Sequence, residues 1–181
     1  MENSDKILSG IAGALMISII CTVGVKNESA ITALVVEYSI LGAAVLLLMI
    51  TQKNDVQQVN TSGNSLVNMG SNLLLILSKY APFLFILFNI IYYIVITSIY
   101  FKNATSNNMS NYYYNFLYIA TGLILAQIGL LIYPTFAKIK DAVSMGKIAN
   151  IIKWLIILLG TINGIVVITL GIILKFYTTQ G

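Results

Sequence analysis

The segment from Trp154 to Tyr177 constrains the fold of this chain more than any other part of the sequence. It reads WLIILLGTINGIVVITLGIILKFY and contains one charged side chain, Lys175, close to its end. As a helix it would measure roughly 34 Å at ~1.5 Å per residue, enough to cross a hydrocarbon layer of about 30 Å. Its aromatic ends are typical of membrane interfaces. We therefore expect a transmembrane helix here.

The composition extends this expectation to the whole chain. Of the 181 residues, 58% are hydrophobic and only 9% are charged, whereas soluble domains carry about 25% charged residues. The ten basic residues are all lysine, and they are spread over several short loops instead of forming one nucleic-acid-binding patch. The sequence thus predicts one integral membrane domain, residues 1–181, with the lipid bilayer as its partner and no nucleic acid.

The apolar runs predict an all-α helical bundle with about five transmembrane helices. These spans lie at about residues 7–25, 31–50, 81–101, 114–133 and 151–177. After a polar segment at 51–64, residues 65–80 form an amphipathic pattern with too few apolar positions to span, so we expect a helix lying in the interface. Pro82 should begin the third span and Pro134 should end the fourth. Residues 135–153 are expected to form a lysine-rich loop.

The distribution of lysines predicts the orientation of the bundle. Five spans place the two termini on opposite sides of the membrane. The segments on the side of the N-terminus carry seven lysines and the other segments carry three. By the positive-inside rule, this excess favours a cytosolic N-terminus.

Small and amide side chains inside the spans are candidates for helix packing. Small residues allow two helices to approach closely, and amides form hydrogen bonds between helices. The candidates are Asn89, Gln127, Gly160, Asn163, Gly164 and Gly171. Most tyrosines, by contrast, are expected to anchor the helix ends at the membrane interfaces.

Glu37 is the only carboxylate predicted within a span. An ionised carboxylate inside a bilayer costs a few kcal/mol, so it should be protonated, paired or close to headgroup water. It is either a proton or cation site, or a hydrogen-bonding group in a helix interface or one that reaches towards Lys26.

The sequence offers no basis for an enzyme. Without histidine there is no Ser–His pair. The chain also has no P-loop, glycine-rich dinucleotide turn or Cys/His metal cluster. We expect no catalytic residue, no cofactor and no metal.

Three segments carry a resemblance to known sequences: Ala81-Pro82-Phe83, SNYYYNF at 110–116 leading to Gln127, and most strongly LLGTINGIVVITLGIILKFYTTQG at 158–181. They resemble an uncharacterised family of multi-pass membrane proteins from large nucleocytoplasmic DNA viruses, the giant viruses of algae and protists. The resemblance covers roughly residues 81–181. Gln180 departs from the acidic residue that the family tends to place before the final glycine.

The resemblance implies a structural protein of the virion inner membrane, the lipid layer beneath an icosahedral capsid. Capsid or minor capsid proteins, other membrane proteins or further copies of the chain would be its neighbours. It implies no catalytic residues. Two alternatives stay open: a small channel or transporter subunit that uses Glu37, and an accessory subunit of a cellular membrane complex.

Overall fold

The computed structural model describes residues 2–25, 28–51, 65–104, 110–136 and 142–179, nearly all of them helical. The five helices are α1 (Glu2–Val23), α2 (Glu28–Thr51), α3 (Ser65–Ala104), α4 (Ser110–Phe136) and α5 (Ala142–Thr179). No strand occurs within these ranges. The predicted all-α fold class is therefore confirmed.

Each helix contains a stretch that is long and apolar enough to cross a membrane. The stretches are Ser4–Val23, Ser29–Thr51, Lys79–Ile99, Tyr113–Thr135 and Gly146–Ile173. Large apolar side chains also face outward, as shown by the exposed fractions of Ile17 (67%), Ile91 (60%) and Ile165 (62%). Soluble proteins rarely expose apolar surface on this scale, whereas a lipid environment suits it.

Helices α3 and α4 form the centre of the bundle. Among the described residues, α3 packs against α2, α4 and α5, and α4 packs against α1, α3 and α5. The hairpin of α1 and α2 lies on one side of this pair. Helix α5 packs on both central helices.

The residues that meet between helices show how the helices run. Residue numbers run in opposite directions across every pair of neighbours except α3 and α5, where they rise together. Between α1 and α4, Ser9 meets Thr135 and Met16 meets Gly129; between α2 and α3, Tyr38 meets Tyr93 and Gly42 meets Ile90. Between α3 and α4, Asn89 meets Gln127 and Tyr93 meets Thr121; between α3 and α5, Asn89 meets Gly160 and Ile96 meets Gly171. The helices therefore alternate in direction along the chain.

This alternation gathers one set of lysines at one end of the bundle. Lys6, Lys79, Lys147 and Lys153 all belong to the side predicted to be lysine-rich, and we call it the basic end. Lys53, Lys138 and Lys140, predicted on the same side, lie outside the described residues.

Helix α3 is longer than predicted, because Pro82 does not begin a new helix. The 40-residue α3 runs from Ser65 through Pro82 to Ala104, so the helix expected at 65–80 is joined directly to the third span. Proline removes one backbone hydrogen bond, but transmembrane helices tolerate this when neighbouring groups compensate. The side chains of residues 65–78, on which the amphipathic pattern rests, lie outside the described part of the chain, as does the polar segment at 52–64.

Two other boundaries differ from the predictions. Helix α4 continues past Pro134 to Phe136, because a proline near the end of a helix removes only one N–H group and the helix can continue for two more residues. Helix α5 begins at Ala142, so much of the predicted loop at 135–153 is helical. Lys147 and Lys153 therefore both lie on α5 at the basic end.

Candidate functional site

Three helices are joined by a buried group of hydrogen-bonded amides. Asn89 of α3 donates from Nδ2 to Gln127 Oε1 of α4 and to the Gly160 carbonyl oxygen of α5, each at 3.3 Å. Gln127 in turn donates from Nε2 to the Ile156 carbonyl oxygen at 3.0 Å. The exposed fractions of Asn89 and Gln127 are 1% and 0%. We call these four residues the amide cluster; it links α3, α4 and α5.

Because Gly160 has no side chain, the Gln127 amide can lie close to α5 at this position. A Cβ atom at this position would lie 2.6 Å from Gln127 Nε2 and 3.0 and 3.1 Å from Cδ1 and Cβ of Phe85. Such distances are well below van der Waals contact. Any larger residue would therefore push the Gln127 amide or the Phe85 ring away from α5.

The other predicted packing residues of α5 differ in their surroundings. A Cβ atom at Gly171 would lie 3.0 Å from Ile96 Cδ1, so this glycine also faces α3. At Gly164, nothing among the described residues lies within 4 Å of such an atom. Gly164 therefore makes no close contact within the described residues, and its role in helix packing stays a prediction for contact with another copy of the chain.

Asn163 is fully buried but makes no hydrogen bond within the described part of the chain. Its exposed fraction is 0%, and both Nδ2 and Oδ1 lack a partner there. It lies on α5, less than one turn beyond Gly160. Its burial agrees with the predicted role in helix packing, but no polar contact within the described residues accompanies it.

A second buried group consists of tyrosine and threonine side chains next to the amide cluster. The rings of Tyr38 and Tyr93 have centroids 4.3 Å apart, and Tyr93 stacks on Phe116 at 5.9 Å. Thr121 Oγ1 donates to Tyr93 Oη at 3.2 Å, which joins α4 to α3. The exposed fractions of Tyr38 and Tyr93 are both 0%. These rings fill the space between α2, α3 and α4.

Tyr113 extends the same core, although its place at the start of the fourth span favours an interface anchor. Its hydroxyl donates to the Thr97 carbonyl oxygen at 3.2 Å, and its exposed fraction is 0%. Tyr38, Tyr93 and Tyr113 are therefore core residues, whereas most tyrosines were expected to be interface anchors. A sequence signal existed, because Asn89, Tyr93 and Thr97 recur at intervals of four and share one face of α3.

Glu37 lies in the contact between α1 and α2, where two hydroxyl groups face it. Ser18 Oγ donates to Glu37 Oε1 at 2.5 Å, and Thr22 Oγ1 lies 3.0 Å from the same oxygen. Thr22 Oγ1 is also 3.0 Å from the Ser18 carbonyl oxygen, so its single proton is shared between two acceptors. Ser18 and Thr22 were not singled out from the sequence, although their spacing of four places both on one face of α1.

An open cavity of about 530 Å³ lies between α3, α4 and α5 at the basic end. The described residues that line it combine two lysines and an asparagine with apolar side chains. They are Lys79, Pro82, Phe83, Leu131, Pro134, Ala149, Asn150, Ile152, Lys153 and Ile156. We call it the basic groove.

Five long apolar helices among the described residues are those of a multi-pass membrane protein of the all-α class. Within the part of the chain that the structure describes, no three His, Cys, Asp or Glu side chains come together in a way that could hold a metal ion. No family model, curated protein or solved structure matches the chain.

Proposed function

We propose that this protein is a structural component of a membrane, acting through its shape and its contacts. The observation that carries this proposal is the use of intramembrane polar groups as links between helices. The amide cluster joins α3, α4 and α5. Glu37 accepts hydrogen bonds across the α1–α2 contact. Such links stabilise a bundle, because a polar group in lipid that lacks a partner is costly.

A specific observation favours a transport function as the alternative. The second carboxylate oxygen of Glu37, Oε2, is buried and has no hydrogen-bond partner among the described residues. A carboxylate with one unused oxygen can bind a proton or a cation. Several such groups in sequence would be needed for conduction, whereas the nearby groups, Ser18 and Thr22, are neutral.

Flux measurements separate these two functions. The full chain is reconstituted into vesicles that contain a pH-sensitive dye, and flux is compared with that of empty vesicles and of the Glu37→Gln variant. A structural protein should give no flux above the empty vesicles in either form. Proton or cation flux that disappears in Glu37→Gln would contradict the structural proposal.

We further propose that the membrane concerned is the inner membrane of a virion, beneath an icosahedral capsid. The support is the resemblance of residues 81–181 to a family from large DNA viruses. In this arrangement the basic end presents a cationic surface to a capsid or minor capsid protein. Cross-linking in purified particles should then join this chain to such proteins. Absence of the chain from the capsid-containing fractions, with recovery in a cellular membrane complex, would favour an accessory subunit instead.

A further inference from the structure

The basic groove places cationic groups above an apolar slot. Lys79 on α3 and Lys153 on α5 line it together with the amide of Asn150. Deeper contacts are apolar and include Phe83, Leu131 and Ile156. No carboxylate belongs to its described lining. A volume of about 530 Å³ falls within the range of about 300–1,000 Å³ found for small-molecule sites.

The groove lies at the level where the hydrocarbon layer should meet the headgroups. On α4, the apolar stretch ends at Thr135, next to Pro134 in the groove wall. On α5, Lys153 is followed by Trp154, which is 62% exposed and typical of a membrane interface. The cations of the groove are thus at headgroup depth, and its apolar wall faces the acyl chains.

We propose that the basic groove binds one anionic phospholipid, with its phosphate between Lys79 and Lys153 and part of an acyl chain against Phe83, Leu131 and Ile156. Charge and depth both favour this occupant, because basic pockets between transmembrane helices recognise anionic headgroups. An ammonium group has three N–H donors, so a phosphate can be added to contacts that these lysines already make. The proposal is independent of which membrane the protein occupies.

Native mass spectrometry of the full chain in detergent tests this proposal. The protein is titrated with phosphatidylglycerol and with phosphatidylcholine of the same acyl chains, and the first bound lipid is counted. We expect one saturable phosphatidylglycerol site and a preference over phosphatidylcholine of at least tenfold. Lys79→Gln and Lys153→Gln should each lower this preference about fivefold, which corresponds to about 1 kcal/mol for one lysine near an anionic surface.

Lys147→Gln is the matched control for the lysines. This exposed lysine lies on α5 at the same end but does not line the groove, so its loss changes the net charge equally and should leave the preference unchanged. A loss as large as that of Lys153→Gln would show diffuse attraction only and would overturn the proposal. Equal binding of the two lipids would also overturn it.

A second variant tests the apolar part of the site. Ala149 is exposed and lines the groove, so Ala149→Trp should fill the slot without disturbing the core and should abolish the first bound lipid. Displacement of the lipid by an equal concentration of inorganic phosphate would show a site for the anion alone. A change in oligomeric state in place of lipid loss would show that a second copy occupies the groove. Either outcome would overturn the proposal.

Discussion

Replacing Gly160 by alanine should weaken the contact of α5 with the two central helices. The added Cβ would lie 2.6 Å from Gln127 Nε2, so the amide must move and its hydrogen bonds are lost or lengthened. The two hydrogen bonds of the Gln127 amide, at roughly 0.6 kcal/mol each, amount to about 1 kcal/mol, and overpacking adds about 1–3 kcal/mol. The better helix propensity of alanine offsets about 1 kcal/mol. We expect a net loss of about 1–3 kcal/mol in unfolding free energy.

Gly164→Ala is the matched control for this prediction. It makes the same chemical change one turn away, where nothing among the described residues lies within 4 Å of the new Cβ. Its expected effect is between zero and a gain of about 1 kcal/mol. Reversible unfolding of the full chain in detergent can be followed by circular dichroism and by the fluorescence of Trp154, which lies on α5 and is the only tryptophan. Equal stability of the two variants would refute the packing of Gly160 described above.

Three further predictions on buried polar groups use the same unfolding measurement. Asn89→Leu and Gln127→Leu, alone and combined, should show a coupling energy of about 0.6–1.7 kcal/mol, and strict additivity would contradict the hydrogen bond between them. Tyr93→Phe should cost only about 0.6 kcal/mol, because the ring packing stays, whereas Tyr93→Ala should cost about 3–5 kcal/mol. Glu37→Gln keeps an oxygen acceptor for the hydroxyls of α1, so its unfolding free energy should change by less than about 1 kcal/mol; a loss above about 2 kcal/mol would show that the negative charge itself is needed.

Local sequence patterns predicted the polar links between helices better than the roles of the aromatic residues. Asn89 and Gln127 were recognisable because an amide within an apolar run needs a partner in lipid. The location of a tyrosine cannot be inferred in this way, since its ring suits both a core and a membrane interface. Only the structure therefore shows that Tyr38, Tyr93 and Tyr113 lie in the core.

Two turn and packing signals were misleading for related reasons. Pro82 predicts a helix start by its missing N–H group, yet α3 passes through it. The spacing of Gly160 and Gly164 predicts a shared helix contact, yet among the described residues a close contact occurs at Gly160 and none at Gly164. Proline permits a helix start and glycine permits a close contact between helices, but neither residue requires it. Whether the start or the contact forms depends on the rest of the bundle.

The sequence by itself determined that the chain forms apolar helices long enough to cross a membrane, because hydrophobicity and helix length are properties of each segment alone. Only the tertiary structure decided which faces of those helices meet. It brought Asn89, Gln127 and Gly160 together across three helices, set Ser18 and Thr22 against Glu37, and opened the basic groove. The reason is that most positions in these helices are apolar all round, so periodicity does not mark the buried face. The choice is made by packing and by the pairing of a few polar groups.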